Sequence, residues 1–169
     1  ETALSVAFRC LPPEAALVLA ESVVHLGLLG EEVVLALARD CGTQDVRAIM
    51  RWFDGRSMSI TETLVRVRLL RLGYHVEPQV HIPGYGHADL LVNGEHIVEC
   101  DSKEHHLSAA QHEEDHRRDL EAPPLGYTVS RLTYSQCVDT WPMTLTRLRA
   151  RFNGDADRAR RERRRARTT

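Results

Sequence analysis

Two short apolar runs, Ala88-Asp89-Leu90-Leu91-Val92 and His96-Ile97-Val98-Glu99-Cys100, flank an Asn93-Gly94 dipeptide, and no other stretch of the 169-residue chain constrains its fold as tightly. Asn-Gly between apolar runs is a hairpin signal, because both residues accept the positive φ that a tight turn demands. Two registers compete. A two-residue loop pairs Val92 with Glu95 and sets Asp89 against Val98, mixing acid and aliphatic on each face. A three-residue loop (Asn93 to Glu95) pairs Val92 with His96, Leu90 with Val98 and Ala88 with Cys100. That register leaves one face apolar, with Asp89 across from Glu99 and Asp101 across from His87. A slip of one residue moves every side chain to the other face, so burial selects the second register.

Facing carboxylates on an antiparallel pair have Cβ atoms about 5 Å apart and repel each other. A divalent cation between Asp89, Glu99 and Asp101 would remove the repulsion, and an anionic pocket of this kind is what metal-assisted phosphodiester hydrolysis needs. The competing explanation is a hairpin with one wet, acid-bearing face. Lys103 is suited to stabilising developing negative charge or to lowering the pKa of an attacking water. His105 and His106 are candidates for the general base, with His106 preferred, since imidazole titrates near neutrality.

The run Asp89-x9-Glu99-x-Asp101-x-Lys103, preceded by a helix carrying Glu62 and followed by His105-His106 and an Asp/Arg-rich segment, resembles the PD-(D/E)XK restriction-endonuclease-like superfamily. Within it the pattern is similar to the branch of very-short-patch mismatch-repair endonucleases, and to a bacterial family with a Glu-x-Asp-Gly-x-x-His-His core. The likeness spans roughly Ser57 to Arg149. It implies an α/β core in which Glu62, Asp89, Glu99 and Asp101 hold Mg²⁺ (Mn²⁺ substituting) and His106 or His105 handles the attacking water. Arg118 would contact phosphate, and Asp115 and Asp119 would orient His106. Ser102 stands where the family has Gly. Lys103 fits either an Asp101-Ser102-Lys103 reading or a position beside a Glu99-x-Asp101 core, so the second primary ligand, Glu99 or Asp101, stays open.

Elsewhere, Pro12-Pro13 opens three short helical segments up to Phe53, separated by Gly30 and Gly42, with Asp54 to Ser57 as a linker. Ser59-x-x-Glu62 is a capping box for a helix ending at Gly73, which accounts for Glu62 without any metal. A strand over 74–82, the acidic hairpin, a polar helix over 108–120, a strand over 127–132 and a closing helix from Ser135 to about Phe152 complete an α/β core with a mixed sheet between helices. The expected domains are therefore a helical subdomain at 1–55, a restriction-endonuclease-like domain at 56–152 and a disordered arginine-rich tail at 153–169.

The formal charge of −2 hides an asymmetry, because seven of the ten residues from Arg158 to Arg167 are arginine. Such a tract seeks polyanions, and Arg160, Arg161, Arg163, Arg164 and Arg165 would give salt-sensitive, sequence-independent affinity for DNA. Arg131, on the last strand, could reach phosphate or pair with an acid. The helical pairing of Asp115 with Arg118 is an ordinary alternative to their functional roles. His112-Glu113-Glu114-Asp115-His116 matches the zinc-hydrolase pattern His-Glu-x-x-His, but the surrounding helix is charged on every face, where a zinc site needs an apolar one.

No apolar run approaches the ~20 residues that span a bilayer. Four scattered cysteines without a Cys-x-x-Cys pair suit free thiols in a reducing cytoplasm. The Ala/Leu/Val/Arg bias suggests a high-GC bacterial or phage genome. Glu1 in place of Met leaves the native N-terminus open, and with it an upstream or partner helical domain. The expectation is a Mg²⁺-dependent DNA endonuclease of repair, restriction or phage defence, whether monomer or homodimer. Its rivals are a degenerate nucleic-acid- or partner-binding module of the same fold and, further off, a zinc hydrolase.

Overall fold

The computed structural model describes the chain apart from residues 102–121, 123, 124 and 167–169, and gives the backbone alone for residues 155–166. The chain divides into two compact units, Glu1–Tyr74 and His75–Thr169. The first is all helical and the second carries a mixed sheet, so the protein is α/β.

The helical unit comprises α1 (Thr2–Cys10), α2 (Pro13–His25), α3 (Glu31–Cys41), α4 (Gln44–Ile49) with a 3₁₀ turn at Met50–Trp52, and α5 (Ile60–Arg71). Helix α1 precedes the first segment that the apolar spacing marks. One cluster joins Leu4, Phe8, Ala16, Ala20, Val34, Ala38 and Val46, and a second joins Leu17, Ile49 and Val67. Ser59 caps α5 through its hydroxyl, which accepts from the Glu62 N–H at 3.2 Å. The Glu62 carboxylate accepts from the Met58 N–H at 3.0 Å, one residue before the cap, so the Ser59 half of the expected capping box is present and Glu62 serves the neighbouring N–H.

The domain boundary differs from the expected one. Asp54 to Ser57 is not a spacer between domains, because it is bound into a polar network inside the helical unit. Arg66 on α5 and Glu21 on α2 form a buried ion pair, 2% and 1% exposed. Arg66 also donates to the Trp52 carbonyl at 2.7 Å and the Ser57 hydroxyl at 3.2 Å. Glu21 accepts from the Thr63 hydroxyl at 2.6 Å and the Asp54 N–H at 2.9 Å. Buried charges persist only when paired and hydrogen-bonded, and here both ends are. The network ties α5 to α2, and the division between the compact units falls after Tyr74, where the expected boundary lay at residues 55–56.

In the second unit, β1 (Val76–Ile82), β2 (Gly86–Val92), β3 (His96–Cys100) and β4 (Thr128–Leu132) lie in chain order across one sheet. The pairs β1–β2 and β2–β3 are antiparallel and β3–β4 is parallel. Helices α6 (Tyr134–Val138) and α7 (Trp141–Ala166) follow. Thr133 and Gln136 form a capping box at the start of α6. Helix α7 packs on one face of the sheet, where the His96 ring meets Phe152 edge-on with centroids 4.8 Å apart. Arg151 on the same helix donates to the Val129 carbonyl and the Ser130 hydroxyl, both at 3.0 Å. The helix continues well beyond Phe152 into the arginine tract, where a disordered tail was expected. Arginine is among the better helix formers, and a helix already anchored at Phe152 extends without a new nucleation step.

Candidate functional site

The hairpin adopts the three-residue register. Leu90 pairs with Val98 and Val92 with His96. Asn93 and Gly94 both take positive φ, 52° and 73°, and the Glu95 N–H closes the turn on the Val92 carbonyl at 3.2 Å. The Asn93 side-chain oxygen accepts from the His75 N–H at 3.1 Å, and the Asn93 N–H donates to the His75 carbonyl at 2.8 Å, stitching the turn to the start of β1.

Beyond Leu90 and Val98 the two strands are bridged by their acids. The Asp89 carboxylate accepts the Cys100 N–H at 2.8 Å, and the Asp89 N–H points to a Glu99 carboxylate oxygen at 3.4 Å. The side-chain alternation also breaks here. Ala88 and Leu91, three residues apart, share one apolar cluster with Ile82, Tyr85, Ile97 and Ala122. On β1, Gln79 lies between the partners of Leu90 and Ala88 and takes a left-handed φ of 54°. A non-glycine residue in that region is uncommon, and such outliers concentrate at functional sites. Asp89 is thus a neighbour of Glu99, as the register requires. Strand β3 is buried along its whole length, Glu99 included, so the competing picture of a wet, acid-bearing face does not hold for that strand.

Glu99 is 6% exposed and Asp89 half-buried. Tyr85, fully buried in the turn before β2, donates its hydroxyl to the other Glu99 oxygen at 2.6 Å. The Pro83-Gly84 turn delivers that ring. The Tyr85 N–H closes on the Ile82 carbonyl at 3.1 Å, and Gly84 stands at φ 86°, the type II pattern with proline second and glycine third. Sequence reasoning passed over Tyr85, although a lone tyrosine after Pro-Gly and beside an acidic strand is a visible signal.

Asp101 departs from expectation. Its N–H continues the parallel pairing by donating to the Leu132 carbonyl at 2.9 Å, and the residue is exposed. Among the described residues no three His, Cys, Asp or Glu side chains are grouped to hold a metal ion, so the predicted three-acid convergence is not formed. Arg131 is half-buried and is the register partner of Glu99 across the parallel pair, which sets an arginine beside the buried acid. Glu62 belongs to the helical unit, and its carboxylate serves the Met58 N–H beside the cap of α5. Lys103, His105, His106, His112, Asp115, His116, Arg118 and Asp119 lie outside the described residues. Arg160, Arg161, Arg163, Arg164 and Arg165 are described only as helical backbone of α7.

The remaining pair, Asp89 and Glu99, supplies hard oxygen donors only. Mg²⁺ keeps several waters and binds through one or two carboxylates plus substrate phosphates, so the donor set fits it. A closed tetrahedral zinc site would need four ligands rich in nitrogen or sulfur. A carboxylate has roughly four acceptor sites, so an acid that takes an N–H or an O–H, as Asp89 and Glu99 do, can still offer lone pairs to a cation.

No helix among the described residues is long and apolar enough to cross a membrane. Cys10, Cys41, Cys100 and Cys137 are free thiols, the last two buried, as their scatter predicts. No family model matches the sequence, and neither a curated protein nor a solved structure matches it significantly.

Proposed function

We propose that the protein is a divalent-metal-dependent DNA endonuclease with a restriction-endonuclease-like core. The observation that carries the reading is the hairpin register, which sets Asp89 and Glu99 side by side where the β2–β3 ladder gives way to carboxylate bridges. The element order supports it, because a helix, three strands and a later fourth strand in one mixed sheet match the order that the sequence resemblance implies. Asp89 and Glu99 would hold Mg²⁺ or Mn²⁺, which when bound would orient a water and neutralise charge on the scissile phosphate. Lys103 and His106 follow Glu99 closely enough in sequence to act on that water. Arg131, beside Glu99, and the arginines of α7 would meet the DNA backbone.

One observation favours the rival reading, a module of the same fold that binds without cutting: both Glu99 oxygens already accept a hydrogen bond. Incubation with supercoiled plasmid separates the two. Conversion to open-circular or linear DNA with Mg²⁺ or Mn²⁺, blocked by EDTA, supports the endonuclease. Plasmid retained on the protein but left supercoiled supports the binding module.

A further inference from the structure

We propose that Tyr85 is a positioning residue of the acid pair, its hydroxyl fixing Glu99 in the orientation in which Glu99 and Asp89 receive one divalent cation. The inference rests on the metal reading above and adds a residue that the sequence pattern does not contain.

Three observations lead to it. The Pro83-Gly84 turn folds Tyr85 back into the apolar cluster with Ile82, Ala88, Leu91 and Ile97, where it is 0% exposed. Its hydroxyl meets Glu99 at 2.6 Å, the length of a charge-assisted bond from O–H to a carboxylate. The second Glu99 oxygen lies over the Asp89 N–H, so the acid is held at both ends before any cation arrives.

A glutamate has three rotatable bonds, and ordering them on binding would weaken the site. A rigid phenol removes that cost in advance, which is the general effect of preorganisation. Burying a carboxylate merely to satisfy a tyrosine is an unfavourable exchange for a fold, because the charge is far harder to bury than the hydroxyl. The arrangement makes sense when the carboxylate has a use and the tyrosine serves it.

The test is a Mn²⁺ titration of the full chain, followed by the EPR signal of free Mn²⁺, with melting temperatures measured in EDTA. Tyr85→Phe keeps the ring in its cluster and removes only the hydroxyl. It should weaken Mn²⁺ binding about tenfold or more, the usual effect of losing a hydrogen bond to a metal ligand. In a Glu99→Gln background the same change should add no further loss, since Tyr85 acts through that carboxylate. A lower melting temperature with unchanged Mn²⁺ affinity overturns the proposal and makes Tyr85 purely structural. Should Tyr85→Phe not fold, Glu99→Asp withdraws the acid from the phenol without touching the turn, and wild-type affinity there overturns the proposal by itself. If Asp89→Asn and Glu99→Gln both bind Mn²⁺ as the wild type does, the metal reading itself fails. If they bind weakly while Tyr85→Phe is unaffected, only the role of Tyr85 falls.

Discussion

At the scale of single residues, the useful contrast is between acids committed to structure and acids that are held ready. Asp54 is of the first kind. Burial alone would raise its pKa, but the Arg56 side chain, the Arg56 N–H and the charges of Arg56 and Arg66 together hold it below the ordinary carboxylate value. A depressed folded-state pKa contributes stability above the unfolded value, about 3.9, and the contribution is lost as pH falls through the lower folded value. Asp54→Asn should therefore lower the melting temperature at neutral pH, and the gap from wild type should close as pH drops below about 4. A gap independent of pH would show that the charge of Asp54 contributes nothing. In the proposed function Asp89 would be of the second kind. Asp89→Asn keeps an oxygen able to accept from Cys100, so the fold should persist, and relief of repulsion with Glu99 should leave the metal-free melting temperature unchanged or raised. A large drop in EDTA would mark Asp89 as a structural residue.

At the scale of elements, the buried Glu21–Arg66 pair decides which body α5 belongs to. Removing one partner of such a pair leaves an uncompensated charge and costs about 3–5 kcal/mol, whereas replacing both with apolar residues is often neutral. Arg66→Met should thus unfold the helical unit at much lower denaturant, and Glu21→Leu with Arg66→Met should restore most of the loss. A loss in the double variant equal to the sum of the losses from Arg66→Met and Glu21→Leu alone would show that the two residues act independently. This network also marks where sequence reading stops. Glu21 and Arg66 stand 45 positions apart, and each alone looks like an ordinary helix-surface charge. Only the assembled helices reveal that Thr63, Asp54, Trp52 and Ser57 enclose them. The hairpin register was legible because period-two alternation and an Asn-Gly turn are local signals that fail sharply under a one-residue slip. The break in alternation at Asp89 was not, since nothing local marks it and it coincides with the left-handed Gln79 of the neighbouring strand. The Ser59 cap and the strand at Thr128–Leu132 were legible for the same local reason as the turn. Burial of Glu99 was not, because Tyr85 reaches it across the sheet from 14 positions away.

At the scale of the whole molecule, function would divide between a buried acid pair in the sheet unit and a basic helix that leaves it. Helix α7 is anchored by Phe152 and Arg151 and then carries the arginine tract outward in sequence. Deleting residues 155–169 removes no proposed metal ligand. DNA affinity should fall, and the slope of log affinity against log salt should become shallower by about 0.9 for each duplex phosphate that is no longer neutralised. An unaltered slope would assign phosphate recognition to the core, with Arg131 as its first candidate. That Asp89 and Glu99 together hold the cation that cutting requires is tested most directly by plasmid cleavage with the full chain at saturating Mn²⁺. Wild type should convert supercoiled plasmid and lose that activity in EDTA, while folded Asp89→Asn and Glu99→Gln should each lose it by about a hundredfold or more, the scale of loss when an interaction with a catalytic metal is removed. Cleavage at the wild-type rate by either folded variant would contradict the account.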